Sequence, residues 1–366
     1  MHETYMKLAL ENARTMRGQT DPNPTVGCVL VKEGRVIGIG AHLKAGGPHA
    51  EIHALQMAGK EAVGCTAYVT LEPCSHTGKT GPCALALIEA GVKQVVVAML
   101  DPNPLVAGNG IRLLEEAGIH VETGVCEYEA RALNDVFIHS ILHQKPFVTA
   151  KTAITLDGKL ATHTGSSQWI TSSEARTDVH HLRSEHQAIM VGVGTVVQDN
   201  PALTARIPNG RNPLRIIVDS HLRTPLNAQV ITDGQAPTWI FTAQATDENK
   251  RKALQDLGVE VIKTSGTEQV NLEEMLDSIY QRSITSILLE AGGTLNASFI
   301  EAELISKLIL YMAPKIIGGR LAPTFLEGEG IGLMNDAIPV EIASVDFVGK
   351  DLKITAYPQY SKKPRT

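Results

Sequence analysis

Positive charge is in short supply in this chain. Lys and Arg number 33 against 39 Asp and Glu, a formal net charge of −6. A surface that holds nucleic acid by bulk charge needs the opposite balance, so the composition argues against that class, local basic sites apart. Aromatic residues are scarce as well, at 4%, which does not suit the stacking platforms used to bind RNA. The five cysteines are odd in number and scattered. They read as reduced thiols or metal ligands, not as a disulfide framework. No apolar run approaches the roughly 18 residues that a membrane span requires. The opening stretch MHETYMKLALENARTM carries charges and lacks both an uninterrupted apolar core and a small-residue cleavage site. It is not a secretory signal, and the expected location is the cytoplasm. Short repeats and low-complexity tracts are missing too.

What is present is an ordinary globular composition, 43% hydrophobic and 20% charged over 366 residues. That length favours two domains, each able to bury a core without disulfides. Periodicity predicts a first helix over Tyr5–Met16, with Met6, Leu8, Ala9, Ala13 and Met16 on its apolar side. Strands are expected at Val26–Val31, Val36–Gly40, Thr66–Leu71, Gln94–Met99 and Val121–Gly124. Helices fall at His49–Ala58, Cys83–Ala90, Gly110–Ala117 and Glu129–Leu142. Pro146 disfavours helix in the residue before it and marks the boundary between domains 1–144 and 145–366. The second half alternates again. Its expected strands are Phe147–Ala153, Ala188–Val193, Leu214–Val218, Thr238–Phe241, Val259–Ile262, Ser286–Glu290 and Lys307–Met312. Helices at Ser173–Ser184, Glu248–Leu257, Leu272–Arg282 and Ser298–Glu303 lie between them. Alternation of this kind implies α/β sheets covered on both faces.

The chemistry is concentrated in three short motifs. His49-Ala50-Glu51 is followed by Glu72-Pro73-Cys74 and then Pro82-Cys83. One imidazole and two thiolates can hold Zn²⁺ and leave a fourth position open. Each ligand sits where the chain feeds a helix, whose positive end favours the thiolate. Glu51 is offset by two from the histidine. That suits a residue beside the metal that takes a proton from water and returns it to a leaving amine. The order H-x-E…P-C…C is that of the zinc deaminases, but eight residues separate Cys74 from Cys83 where the pattern has two. A closed structural zinc site stays open as an alternative, with His42, His53 or His76 as a fourth ligand. Cys28, Cys65 and Cys126 sit in or beside apolar strand-like runs and read as core.

The inserted segment SHTGKTGP resembles that of the bifunctional riboflavin-biosynthesis deaminase–reductase family. So do Asn23-Pro24-Thr25-Val26-Gly27, Gly47-Pro48-His49-Ala50-Glu51 and the run DPNPLVAG from Asp101. In the second half, Thr152–Gly158 with Lys159, Ser167-Gln168-Trp169-Ile170-Thr171 and DNPALTAR from Asp199 are similar to the same family's reductase half. The likeness spans essentially the whole chain. It implies a cytidine-deaminase-like three-layer αβα domain followed by a dihydrofolate-reductase-like α/β domain. It also implies Zn²⁺ and NADPH as cofactors, and a homo-oligomer, dimer or tetramer. The implied substrate contacts in the first domain are Asn23, His42, Lys79, Asp101 and Asn103, with His49, Cys74 and Cys83 on zinc and Glu51 catalytic.

In the second domain, AIMVGVGT from Ala188 and SILLEAGGTL from Ser286 are buried-looking strands that end in glycines. Glycines and a helix start let backbone N–H groups approach a phosphate. Neither run is GxGxxG, so the usual dinucleotide fingerprint is absent. The resemblance places NADPH contacts on Ala153, Trp169, Thr195, Asp199, Ser220 and on Gly292, Gly293, Thr294, Leu295, Asn296, Ala297 and Ser298. Substrate contacts fall on Ser167, Arg183, Leu203, Arg206 and Glu290. Lys151, Asp199 and Glu290 are candidate proton donors. The expected activity is deamination of a diaminopyrimidinone ribosyl phosphate followed by NADPH-dependent reduction of its ribosyl chain. The alternative is a zinc deaminase of a free nucleoside or tRNA base with a nucleotide-binding regulatory second domain. A third reading is a non-enzymatic module in which the zinc is structural and the second domain is a regulatory nucleotide sensor.

Overall fold

An amphipathic helix needs a sheet to cover, and the computed structural model, which describes residues 1–75, 81–104 and 106–360, supplies two sheets. The chain divides into two compact units, Met1–Gln144 and Lys145–Thr366.

The first unit runs α1 (His2–Arg14), β1 (Gly27–Lys32), β2 (Arg35–Ala41), α2 (Ala50–Ala58), β3 (Thr66–Val69), α3 (Cys83–Glu89), β4 (Gln94–Val97), α4 (Asn109–Glu116), β5 (His120–Thr123), α5 (Glu127–Leu133) and α6 (Asp135–His143). The strand order is β2-β1-β3-β4-β5. β1 pairs antiparallel with both neighbours, and β3, β4 and β5 are parallel. α1 buries Met6, Ala9, Leu10 and Ala13, and Leu8 is exposed. Leu10 takes the place expected for Leu8 because a helix turns 100° per residue, which carries Leu8 well away from the Met6 face.

Glycines let the helices lie flat on this sheet. A Cβ on Gly27 would stand 2.1 Å from the Ala9 carbonyl oxygen of α1, and one on Gly40 would stand 2.0 Å from that of Ala50 in α2. Gly40 pairs with Cys28, the neighbour of Gly27, so the two close approaches are on opposite faces. This gives three layers and pins the start of α2 against β2.

The single helix expected over Glu129–Leu142 is two. The break is at Asn134, which is buried. Its side chain accepts the Thr25 N–H at 2.8 Å and donates to the Thr25 carbonyl at 3.1 Å. Its backbone still bonds Ala130 and Ile138, but its φ of −110° and ψ of 23° lie off the helical values, and the helix breaks there.

The second unit runs β6 (Phe147–Thr155), α7 (Ser173–Glu185), β7 (Ala188–Gly192), α8 (Val193–Asp199), β8 (Leu214–Val218), α9 (Gln229–Thr232), β9 (Thr238–Thr242), α10 (Glu248–Asp256), β10 (Glu260–Lys263), α11 (Leu272–Gln281), β11 (Ser286–Leu289), α12 (Gly293–Glu301), β12 (Lys307–Ala313), β13 (Val340–Val348) and β14 (Asp351–Pro358). Its nine strands are ordered β10-β9-β8-β7-β11-β6-β12-β14-β13, parallel as far as β12 and antiparallel beyond. Ile189 and Val191 feed one core and Met190 the other, so both faces are covered and β7 reads as a continuous apolar run. Several expectations need correction. The β13–β14 hairpin was not foreseen, although β13 largely alternates apolar with polar residues as a strand does; it lies almost wholly exposed at the sheet edge. α8 and the four-residue α9 were also unforeseen. α12 starts at Gly293, five residues before the expected Ser298, because its glycine start resembles a loop. No helix among the described residues is long and apolar enough to cross a membrane.

Candidate active site

α2 and α3 bring their first turns to one point. His49 is the N-cap of α2, in extended backbone, and Cys83 opens α3. His49 Nδ1 lies 3.2 Å from Cys83 Sγ and 3.6 Å from Cys74 Sγ. The Cys83 N–H donates to Cys74 Sγ at 3.3 Å, which holds the two cysteines together. All three donor atoms lie within 4.8 Å of one another. Ligands around a tetrahedral zinc stand about 3.5–3.8 Å apart, given the usual Zn–N and Zn–S lengths. The donor set therefore fits this ion in both spacing and type. Among the described residues it is the one group of this kind.

The structural-zinc alternative loses its best fourth ligand. Both ring nitrogens of His42 are engaged, Nδ1 with the Pro48 carbonyl at 3.1 Å and Nε2 with Asn23 Nδ2 at 3.1 Å. His53 is not within the donor group. His76 lies outside the described residues.

Glu51 stands in the first turn of α2, only 3% exposed, and its Oε2 has no hydrogen-bond partner. Burial pushes its carboxyl up to about 7. Cys74 moves the other way, to about 4, first because Cys83 hydrogen-bonds to it and then because His49 does. Burial holds His42 below the usual imidazole range. The neutral ring thus donates from Nδ1 to Pro48 and accepts from Asn23 at Nε2.

These groups open on a cavity of about 570 Å³. Asn23, His42, Asp101 and Asn103 all line it, beside His49, Glu51 and Cys74. Four of the five expected substrate contacts of this unit are therefore gathered, and the fifth, Lys79, lies outside the described residues. Glu72 also reaches the cavity wall, where it accepts three backbone N–H groups. It directly precedes Pro73-Cys74, but nothing in its local sequence points to a part in the site.

In the second unit the C-terminal end of β11 carries a buried ion cluster. Glu290 accepts from Arg183 Nε at 2.7 Å and from Arg183 Nη2 at 2.9 Å, and Lys151 Nζ of β6 is 2.8 Å away. Burial alone would raise the Glu290 carboxyl, but Arg183 and Lys151 outweigh it and hold it well below the carboxylate range. Arg183 also donates to the Thr204 carbonyl at 3.2 Å, and the Arg206 N–H donates to His180 Nδ1 at 3.3 Å. Burial, then Arg183 and Arg206, pull His180 down to about 4. His180 was not foreseen, since nothing in its local sequence singles it out. Leu203 is buried at a positive φ of 52°. Ser167 is half-buried.

The expected cofactor residues differ in what they offer. Ala153 lies on β6 and Thr195 on α8, both half-buried. Asp199 is exposed at the end of α8. Trp169 is exposed, with the Arg176 guanidinium stacked 4.5 Å from its ring centre. Ser220 is tied into the sheet end, where its Oγ accepts from the Val270 N–H and its carbonyl from Ala243. The stretch from Gly292 to Ser298 forms the start of α12. Gly292 faces open space, so a phosphate could approach its backbone. Gly293 does not, because a Cβ there would meet Thr324 and Glu327 at 2.5 Å. Thr294 is exposed and Leu295 packs near Gly192. Asn296 and Ala297 point into the core, and Ser298 bonds back to the Thr294 carbonyl. An open glycine at a helix start, beside an exposed Thr294, fits a dinucleotide phosphate.

Comparison with known proteins agrees with both units. Residues 1–99 match the family model for the cytidine and deoxycytidylate deaminase zinc-binding region. Residues 146–353 match that for the RibD C-terminal domain. The riboflavin biosynthesis protein RibD of Bacillus amyloliquefaciens is 48% identical, over 99% of this chain and 98% of its own. That of Escherichia coli K12 is 41% identical, over 96% and 97%. The solved structure of Acinetobacter baumannii RibD superposes with a TM-score of 0.85 at 38% identity, covering 98% of this chain and 99% of its own. A Thermotoga maritima structure described as a diaminohydroxyphosphoribosylaminopyrimidine deaminase/5-amino-6-(5-phosphoribosylamino)uracil reductase gives 0.85 at 36% identity, with the same coverage. At such identity over nearly its full length, the chain belongs to the RibD family, zinc-dependent deaminases and NADPH-dependent reductases of riboflavin biosynthesis joined in one polypeptide.

Proposed function

We propose that unit Met1–Gln144 deaminates 2,5-diamino-6-ribosylamino-4(3H)-pyrimidinone 5′-phosphate and that unit Lys145–Thr366 reduces the ribosyl chain of the product to ribityl. The observation that carries this is the buried, unpartnered Oε2 of Glu51 beside His49, Cys74 and Cys83 on a cavity of about 570 Å³.

His49, Cys74 and Cys83 would hold the zinc, which when bound supplies the Lewis acid that makes water nucleophilic at neutral pH. Glu51 takes the proton from the attacking water and hands it to the amine that leaves as ammonia. Its buried Oε2, with no hydrogen-bond partner, is placed to take and return that proton. Asn23, His42, Asp101 and Asn103 would orient the pyrimidine and its ribosyl phosphate, with Lys79 as a phosphate partner.

In the second unit NADPH, when bound, supplies the hydride. The start of α12 at Gly292 and Thr294, with Ala153, Trp169, Thr195, Asp199 and Ser220, would hold it. Arg183 and Arg206 would grip the sugar phosphate alongside Ser167 and Leu203. Lys151 is favoured as proton donor to the sugar oxygen, since it is buried against Glu290 and Asp199 is exposed.

A homo-oligomer, dimer or tetramer, is part of this reading. β13 is an edge strand that exposes Ile342, Val345 and Phe347, a row suited to a second copy. Light scattering on the purified chain tests it. The proposed location is the cytoplasm. A tRNA-editing reading finds no support in a net charge of −6.

The deciding experiment follows ammonia release and NADPH oxidation together from the diaminopyrimidinone ribosyl phosphate, with NADPH withheld in a parallel tube. Ammonia in both tubes, with NADPH consumed only after deamination begins, is the expected result. No ammonia from zinc-replete protein would overturn the substrate assignment.

A further inference from the structure

Two segments wall the deaminase cavity. One follows β3 and carries Cys74. The other follows β4 and carries Asp101 and Asn103. Glu72 joins them. Its carboxylate is 5% exposed, and Oε2 accepts the N–H of Asp101 at 3.2 Å and that of Gly108 at 3.0 Å. Oε1 accepts the N–H of Gly110, in the first turn of α4, at 2.9 Å. The Glu72 N–H donates to the Met99 carbonyl at 3.0 Å. Gly110 completes the joint, because a Cβ there would lie 1.9 Å from the Pro73 carbonyl oxygen. α4 therefore rests on the backbone immediately before Cys74. Asn103 takes its place from the same point, its N–H donating to Asp101 Oδ1 at 2.8 Å.

Only a carboxylate suits this junction. It is acceptor-only and has two oxygens for three converging donors. An amide has a single oxygen and would turn its NH₂ towards at least one N–H. The positive end of α4 adds to the preference for a negative group.

We propose that Glu72 is a positioning residue for the deamination. It sets the loop of Asp101 and Asn103 at a fixed distance from the metal-ligand loop, and it governs substrate binding through those two residues. This rests on the reading above that Asp101 and Asn103 contact substrate.

The test compares Glu72→Gln, Asn103→Ala and the double variant in the full chain, with the diaminopyrimidinone ribosyl phosphate as probe. Zinc content and the reductase step, started from deaminated product, report whether each chain is folded. Glu72→Gln is expected to keep its zinc and its reductase rate, and KM for deamination rises about tenfold while kcat falls much less. The double variant is expected to lose less than the product of the two single effects, because Glu72 acts in part through Asn103 and in part through Asp101. Hydrogen exchange at the Asp101, Gly108 and Gly110 amides is expected to quicken in Glu72→Gln. An unchanged KM, or effects that multiply in the double variant, would each overturn the proposal. Wild-type KM in Asn103→Ala would instead sink the substrate reading of this loop. Where the Gln chain fails to fold, Glu72→Asp keeps the charge at shorter reach, and the same KM-led loss is expected. Wild-type KM in that variant, with slow amide exchange, counts against the idea.

Discussion

Replacing Glu290 by Gln removes one negative charge from between two cations. The side chains of Lys151 and Arg183 are each 12% exposed and that of Glu290 is 11% exposed, so water screens little of the change. Breaking such a buried pair costs about 3–5 kcal/mol, because the partner charges are left uncompensated. Gln can still accept one bond from Arg183, which places the expected loss near the lower bound, about 3 kcal/mol. For a unit of this size that is a fall in Tm of about 6–12 °C. The assay is urea unfolding followed by tryptophan emission. Trp169 and Trp239 are the only two tryptophans and both lie in the second unit, so the signal reports that unit alone. Acid provides the second half of the test. Glu290 is held below its unfolded pKa of about 4.3. Its contribution is therefore complete above that value and drains away as pH falls below it. The gap between wild type and Glu290→Gln should narrow steadily as pH drops from about 5 towards about 3. A gap under about 1 kcal/mol at neutral pH, or one that acid leaves unchanged, would refute the reasoning.

Three further outcomes are expected. Glu51→Gln should keep its zinc and lose deamination by about 10²–10⁴-fold, the usual worth of a general acid–base group, with the reductase step untouched. Chelation of zinc should abolish ammonia release and leave NADPH-dependent reduction of deaminated product intact, and added Zn²⁺ should restore the first activity. A reductase that fails with chelation would contradict the separation of the two chemistries. Asn134→Ala should destabilise the first unit by about 2 kcal/mol in a zinc-release melt, since it strands the buried Thr25 N–H and carbonyl. A shift near zero would mean that water reaches Thr25.

The ligand set was legible because each member sits in a motif of two or three residues, with His49, Glu51 and Cys83 at helix starts and Cys74 in the segment after β3. His49, Glu51, Cys74 and Cys83 needed no knowledge of what packs against what. The ion cluster was half legible, since Arg183 and Glu290 came from resemblance, but Lys151 was only one of three candidate donors. Its choice depends on β6 and β11 being neighbours in the sheet. Glu72 was illegible for a plainer reason. Its donors lie 29, 36 and 38 residues along the chain, and nothing local points to them. Distance in the chain also hid the break at Asn134, whose partner Thr25 is 109 residues away. The β13–β14 hairpin escaped because β13 has little core to face, so its apolar residues carry no buried stripe. α8 and α12 begin at or beside glycines that read as turns.

The close approaches at Gly27 and Gly40, and a third at Gly38 against the Ala54 carbonyl oxygen of α2, have a genetic consequence. A side chain at any of them would need to occupy space within 2.3 Å of a helix carbonyl oxygen. In a screen for riboflavin auxotrophs, these three codons should tolerate as little change as the codon for His49, although they encode no atom that meets metal or substrate. Intolerance there records how the scaffold is assembled, and a map of essential positions drawn without the structure would count them as part of the catalytic centre.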